Sequence, residues 1–353
     1  MHAKIVVLPG DGIGPEVTAE AVNVLKQAAD CFGHAFHFEE FPIGRAAQKV
    51  HGTVLPESTL EACRKADAVL MGALDIGQSP DEALFHAEAV RGLLTVQRAL
   101  GMLVSLRPVR LHPALHHISP LREQVLEGVD LLIVRSLCDS VPKGCDEDTI
   151  AVVADAACRL AHTRRHHVTV VDRVLTSESV SLWRQAPARV VAGYPDVQLD
   201  VMPVDACLQQ MLLDPANLDV LMADNMIGAA LSNQAVALVG APMLLPVGAR
   251  GVGHLGLYGP ACGPMFDHAG VDAANPIGAI LAAAMMLRHS FSLEREAAAI
   301  EYAVDSALGS GMRTADIATP GERVISTHAM GEAIAAWVCQ AAGQTQRSLR
   351  AEE

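Results

Sequence analysis

Hydrophobic residues along the chain follow two alternating rhythms. Lys4-Ile5-Val6-Val7-Leu8 is a nearly continuous apolar run and predicts a buried strand, whereas Val17, Ala21, Val22, Val24 and Leu25 recur behind it at helical spacing. Gly10, Gly12 and Gly14 separate the two, and Pro15 suits a first helical turn because its missing N–H has no partner to lose there. The same reading predicts strands over Ala35–Phe38, Ala66–Met71, Val129–Val134 and Val168–Val171, and helices over Thr149–Ala161 and Ile277–Ser290. Strands alternating with helices build a parallel sheet covered on its faces, with ligands collecting beyond the carboxyl ends of the strands. The longest apolar run, Ile277–Leu287, is too short to span a bilayer and reads as a buried helix.

Composition narrows this picture. At 353 residues the chain exceeds a single typical core, so two domains are expected. Aromatic residues make up only 3% of the chain against 51% hydrophobic, so its cores rely on aliphatic packing. A formal charge of −14 argues against nucleic acid or an anionic membrane as the main partner, although fifteen histidines soften it at low pH. Arg164-Arg165-His166-His167 admits a nucleic-acid reading, but it follows a predicted helix and precedes a strand, where cations are ordinary partners of the helix dipole. Met1-His2-Ala3-Lys4 runs straight into a strand without a signal-peptide pattern, so a cytoplasmic location is expected. Eight cysteines without Cys-x-x-Cys spacing predict reduced thiols.

The glycine turn alone says little, because Gly10-x-Gly12-x-Gly14 is not the dinucleotide fingerprint. The full string Leu8-Pro9-Gly10-Asp11-Gly12-Ile13-Gly14-Pro15-Glu16 is more specific. With Arg107-Pro108, the segment Asn225 to Ser232 and Ala274-Asn275-Pro276 before the helix at Ile277, it resembles the isocitrate and isopropylmalate dehydrogenases. These are metal-dependent β-decarboxylating 2-hydroxyacid dehydrogenases. The resemblance implies an isopropylmalate dehydrogenase-like fold of two α/β domains with parallel or mixed sheets and a cleft between them. Residues 1–103 and 241–353 would form the cofactor-side domain, and 104–240 the substrate and dimerisation domain. The implied activity is NAD-dependent oxidation and decarboxylation of a 2-hydroxy acid such as 3-isopropylmalate, by a homodimer.

Matched residue by residue, the resemblance makes Arg107 and Arg135 substrate-carboxylate arginines, with Gln97 where the family has another. Leu93 and Leu94 match an isopropylmalate-type apolar pocket, or are simply core. Asp205 matches the first metal-ligand aspartate, and Arg173 stands where the family has a lysine that works in the neighbouring subunit's site. Ile13, Gly263, Asp267 and Asn275 fall at cofactor positions, and a carboxylate at 267 favours NAD over NADP. Cys262 and Gly259 replace a histidine and a glutamate there, so NAD binding is expected to be weak.

The departures concentrate on chemistry. Asn225, Gly228 and Ser232 set the register of the metal helix, yet Ala229 and Asn233 replace its two aspartates, so the Mg²⁺ or Mn²⁺ site is expected to be lost. Pro142 takes the place of a proton-donating tyrosine, and arginine at 173 cannot cycle a proton near pH 7. Three readings stay open. A diverged dehydrogenase would hold a metal through Asp205, Asp224 and substrate, or none, and use new acid–base groups such as Asp139, Lys143 or His268. A non-catalytic protein would bind a small carboxylate or nucleotide through Arg107, Arg135 and Arg173. An inactive partner would complete the site of an active paralogue.

Overall fold

The computed structural model describes residues 1–75, 83–138, 145–173 and 178–352; Asp139, Pro142 and Lys143 lie outside the described residues. The chain divides into two compact units, Met1–Leu100 with Pro242–Gly248 and His254–Glu353, and Gly101–Ala241 with Ala249–Gly253. The short crossing Ala249–Gly253 thus belongs with the second unit, not with the C-terminal part of the first.

In the first unit, β1 (His2–Leu8) leads through the glycine turn into α1 (Gly14–Phe32), then β2 (Ala35–Glu40), α2 (Arg45–His51), α3 (Glu57–Arg64), β3 (Ala68–Met71) and α4 (Ala83–Ala99). The second unit follows as β4 (Val104–Arg110), α5 (Glu123–Leu126), β5 (Asp130–Ser136), α6 (Glu147–His162), β6 (His167–Asp172), α7 (Glu178–Val191), β7 (Gln198–Pro203), α8 (Val204–Leu213), β8 (Val220–Ala223) and α9 (Asn225–Val239). The chain continues with β9 (Pro246–Arg250) and β10 (Gly256–Pro260), then α10 (Ile277–Phe291), α11 (Glu294–Gly309) and α12 (Thr327–Glu352). Most predicted elements gain one or two residues at an end, where terminal backbone groups find partners that apolar periodicity does not register, whereas β3 begins at Ala68 rather than Ala66 and β5 at Asp130 rather than Val129. Pro242–Leu244 is a 3₁₀ turn, and β9 begins at Pro246.

First-unit strands run in the order β2-β1-β3-β10-β9, with β1 parallel to β2 and β3, and β3 parallel to β10. Second-unit strands run β4-β5-β8-β6-β7; β4 and β5 are antiparallel, and the pairs β5–β8, β8–β6 and β6–β7 are parallel. Helix α10 is buried nearly all round, from Ile277 and Ile280 to Met286 and Leu287. Its run of alanines keeps its surface shallow, and each large aliphatic side chain it buries contributes roughly 1.5–3 kcal/mol. Among the described residues, no helix is long and apolar enough to cross a membrane.

The expected reduced thiols are corrected in part. Cys31 of α1 is bridged to Cys339 of α12 with Cα atoms 5.8 Å apart, and Cys138 to Cys145 at 5.0 Å. Cys63, Cys158, Cys207 and Cys262 stay free. Spacing in the sequence hides the first bridge, because its cysteines are 308 positions apart and meet only once α12 lies against α1.

Candidate functional site

In the first unit the glycine turn is closed by its own backbone. A Cβ on Gly10 would lie 2.0 Å from the Ala73 carbonyl oxygen, one on Gly14 2.2 Å from the Pro9 oxygen, and one on Gly72 2.0 Å from that same oxygen. Three glycines therefore let two chain segments pass at backbone contact, and Asp11 N–H donates to Ala73 O at 2.7 Å across the junction. Ile13 is fully buried, and its N–H donates to Pro264 O at 2.8 Å, tying the turn to the loop that follows β10. Gly263 and Asp267 are exposed on that loop, and a Cβ at Gly263 would meet nothing within 4 Å. Asn275 is buried instead. Its Oδ1 accepts from Ile277 N–H at 3.0 Å, capping α10, and its Nδ2 donates to Asp316 at 3.1 Å. Burial pushes the Cys262 thiol up to about 11, so it stays protonated at neutral pH and cannot replace an imidazole as a charged or accepting group.

The sequence reading missed a charged cluster beside this turn. Asp11 accepts from Arg45 N–H at 2.7 Å and from Asp75 N–H at 3.0 Å. Arg45 Nε donates to Asp75 at 2.7 Å, and His86 Nε2 lies 3.3 Å from the other Asp75 oxygen. Burial, chiefly, raises the Asp11 carboxyl above its ordinary range. The Arg45 guanidinium lies 4.3 Å from the Phe85 ring centroid and 5.1 Å from that of Phe266, so this cation also braces the loop that carries Asp267. One signal was available: Asp11 and Asp75 both follow the carboxyl ends of neighbouring parallel strands, β1 and β3.

In the second unit, Ser105 stands opposite Arg135 and Arg107 opposite Ile133 across the antiparallel β4–β5 pair. Facing residues share one side of such a pair, so Arg107 and Arg135 project from the same face. Burial, with the Arg135 charge adding to it, pulls the Arg107 guanidinium down to about 10, which still leaves it cationic at neutral pH. Its buried Nε has no hydrogen-bond partner among the described residues. Arg135 donates from Nε to Asn225 Oδ1 at 2.8 Å, and its stem lies against Gly228, where a Cβ would come within 2.6 Å of Arg135 Cγ. Asp224 caps α9 by accepting from Ile227 N–H at 2.7 Å, and its other oxygen faces Arg173 Nη2 at 3.4 Å.

The start of α9 thus anchors two guanidinium groups through neighbouring residues, and a third lies beside Arg135 with an unsatisfied donor. Among the described residues, guanidinium groups beside the positive end of a helix dipole are chemistry suited to an anionic oxygen. The donors for a hard divalent ion are poorer. Ala229 offers only a half-buried methyl group and Asn233 an exposed neutral amide, while the Asp224 carboxylate already serves a backbone N–H and a guanidinium. Asp205 is exposed on α8. Gln97, Leu93 and Leu94 are half-buried on α4, and His268 is exposed.

Arg164, just past the end of α6, also makes ion pairs. Its Nε donates to the buried Asp219 at 2.8 Å and its Nη2 to Asp130 at 2.8 Å, so it neutralises a carboxylate beneath the strand ends.

Comparison with known proteins identifies relatives over nearly the whole chain. The isocitrate/isopropylmalate dehydrogenase family model matches residues 4–149 and 142–334. The chain is 43% identical to the 3-isopropylmalate dehydrogenase of Anaeromyxobacter dehalogenans over 95% of this chain and 99% of that protein. It is 41% identical to the enzyme of that name from Priestia megaterium, over 95% and 96%. Among solved structures, isocitrate dehydrogenase from Methylococcus capsulatus superposes with a TM-score of 0.80 at 27% identity, covering 96% of this chain and all of that one. A β-decarboxylating dehydrogenase from Thermococcus kodakarensis does so at 0.77 and 27%, covering 95% and 96%.

Proposed function

The chain belongs to the isocitrate/isopropylmalate dehydrogenase family, and from that premise we propose that it binds a small 2-hydroxy dicarboxylate of the 3-isopropylmalate class together with NAD, with metal-dependent turnover altered or lost. One observation carries the reading. Arg107, Arg135 and Arg173 supply cationic donors around the start of α9, while positions 229 and 233 of that helix supply no carboxylate.

Arg107 and Arg135 hold a substrate carboxylate, the unpartnered Nε of Arg107 gaining the acceptor it lacks. Asp267 accepts from the adenosine ribose of NAD, and the open surface at Gly263 leaves room for it. When bound, NAD supplies a hydride acceptor. Ile13 shapes the turn beneath, and Asn275, already bonded to Asp316 and to the α10 backbone, positions the loop rather than touching the cofactor. The pairing of Arg173 with Asp224 favours a site whose positive charge comes from side chains, because a hard ion gains most from anionic oxygens that α9 does not offer. We also propose a cytoplasmic homodimer through the second unit, since Arg173 and the exposed Asp205 match positions that serve a neighbouring subunit; light scattering at micromolar concentration tests it, and a monomer refutes it.

The central experiment pairs calorimetry with turnover. Titration with 3-isopropylmalate should show binding that does not strengthen with Mg²⁺ and that Arg107→Met abolishes. NADH formation from 3-isopropylmalate, isocitrate or tartrate should stay far below family-like rates with Mg²⁺ or Mn²⁺. Robust metal-dependent NADH formation by the unmodified protein overturns the loss of turnover, and binding unaffected by Arg107→Met overturns the site.

A further inference from the structure

Away from the anion site, three side chains of the second unit converge where α6 gives way to β6. His162 closes α6, His166 precedes β6, and Asp196 lies in the turn between α7 and β7. The Nδ1 atoms of both histidines approach a single oxygen, Asp196 Oδ2, at 2.6 and 2.9 Å. One ligand atom from each residue falls within 4.8 Å of the others.

The backbone sets this convergence up. His166 has φ of 60°, a left-handed conformation unusual for a residue with a side chain, and it is held at both ends. Its N–H donates to Ala161 O at 3.0 Å, closing the end of α6, and its carbonyl accepts from Gln198 N–H at 2.8 Å, at the start of β7. Val197 N–H donates to Tyr194 O at 2.9 Å and fixes the turn that presents Asp196. The imidazole rings of His162 and His166 meet edge to face with centroids 5.8 Å apart, so each ring restricts the other.

We propose that His162, His166 and Asp196 form a surface site for a borderline divalent cation such as Zn²⁺, Ni²⁺ or Co²⁺, unrelated to catalysis, that ties the end of α6 to edge strand β7. Imidazole nitrogen paired with one carboxylate oxygen suits these ions rather than Mg²⁺ or Ca²⁺, which want oxygen throughout. Tetrahedral coordination at about 2.0–2.2 Å separates ligand atoms by roughly 3.3 Å, so each histidine moves from Asp196 Oδ2 by about half an ångström to admit the ion. Side-chain exposures of 57%, 48% and 40% for His162, His166 and Asp196 leave freedom for that movement and room for a water as fourth ligand. The neighbouring His167–Asp200 pair, at 2.7 Å, brings together only one histidine and one carboxylate and serves as an internal control.

The test uses untagged, metal-free full-length protein titrated with Zn²⁺ alone by calorimetry, and with Co²⁺ by visible absorption. One ion per chain should bind. Asp196→Asn and His162→Gln should each weaken it at least tenfold, the double variant His162→Gln/His166→Gln should remove it, and His167→Gln should leave it unchanged. In the unmodified protein, bound Zn²⁺ should shield His162 and His166 from diethylpyrocarbonate, read by peptide mass spectrometry, which needs no variant to fold. Equal Zn²⁺ affinity in the unmodified protein and the double variant overturns the proposal. So does a thiolate-to-Co²⁺ charge-transfer band, unshielded histidines, or no saturable binding at all.

Discussion

The glycine turn of the first unit and the helix α9 of the second are both stretches that match the family motif, but they match for different physical reasons. At Gly10, Gly14 and Gly72 any Cβ would enter a backbone oxygen. At Ala229 and Asn233 the side chains are half-buried and exposed, so packing constrains them less than it does those glycines. Gly228, in the same helix, behaves like the turn, because the Arg135 stem lies against it. Positions held by close packing keep the fold readable, and less crowded positions tolerate change more easily. The family resemblance is therefore a firmer guide to architecture than to chemistry.

Substitutions can break or sharpen this contrast. The largest effect belongs to Gly10→Ala, which combines φ of 78° with a Cβ 2.0 Å from the Ala73 oxygen. It should cost more than about 3 kcal/mol, read from the urea midpoint. Gly228→Ala should cost roughly 2 kcal/mol and weaken carboxylate binding in calorimetry, because displacing the Arg135 stem disturbs the bond from its Nε to Asn225.

Arg107→Met separates function from stability. It should abolish carboxylate binding while raising stability by about 1 kcal/mol in the same urea assay, since it removes a desolvated charge beside Arg135. The same group sets a pH window. Its pKa is lowered on folding, so the folded protein carries the cost of the buried cation below about pH 10 and sheds it as the pH rises through that value. Carboxylate affinity needs the cation and should fall over that window, measured by calorimetry in unmodified protein. The smallest stability change should come from Ala229→Asp with Asn233→Asp. On the outward face of α9 the pair should shift stability by no more than about 0.5 kcal/mol, while Mg²⁺ affinity in calorimetry rises. A large loss of stability there would show that packing does dictate these two positions.

Sequence alone determined what depends on local periodicity and short-range geometry. Strand, glycine turn and helix around residues 4–25 follow from apolar spacing and from Pro15, and the buried α10 follows from an unbroken aliphatic run. Arg107, Arg135 and Arg173 were legible as candidates through the family motif, but their common neighbourhood was not: it arises from an antiparallel β4–β5 register and from Asp224 and Asn225 at the start of α9. Asn275 accepts from Ile277 N–H two residues on, a local contact, whereas only tertiary structure brings its Nδ2 to the Asp316 carboxylate, 41 positions away. The Cys31–Cys339 bridge was invisible, and of the Arg45–Asp75–His86 cluster only the place of Asp75 after β3 was readable, because each joins residues at separations for which the chain carries no periodic signal. Local preference acts over a few residues, whereas the groups that make a site meet through packing of distant segments, and only that packing decides which charges, thiols and amides face one another.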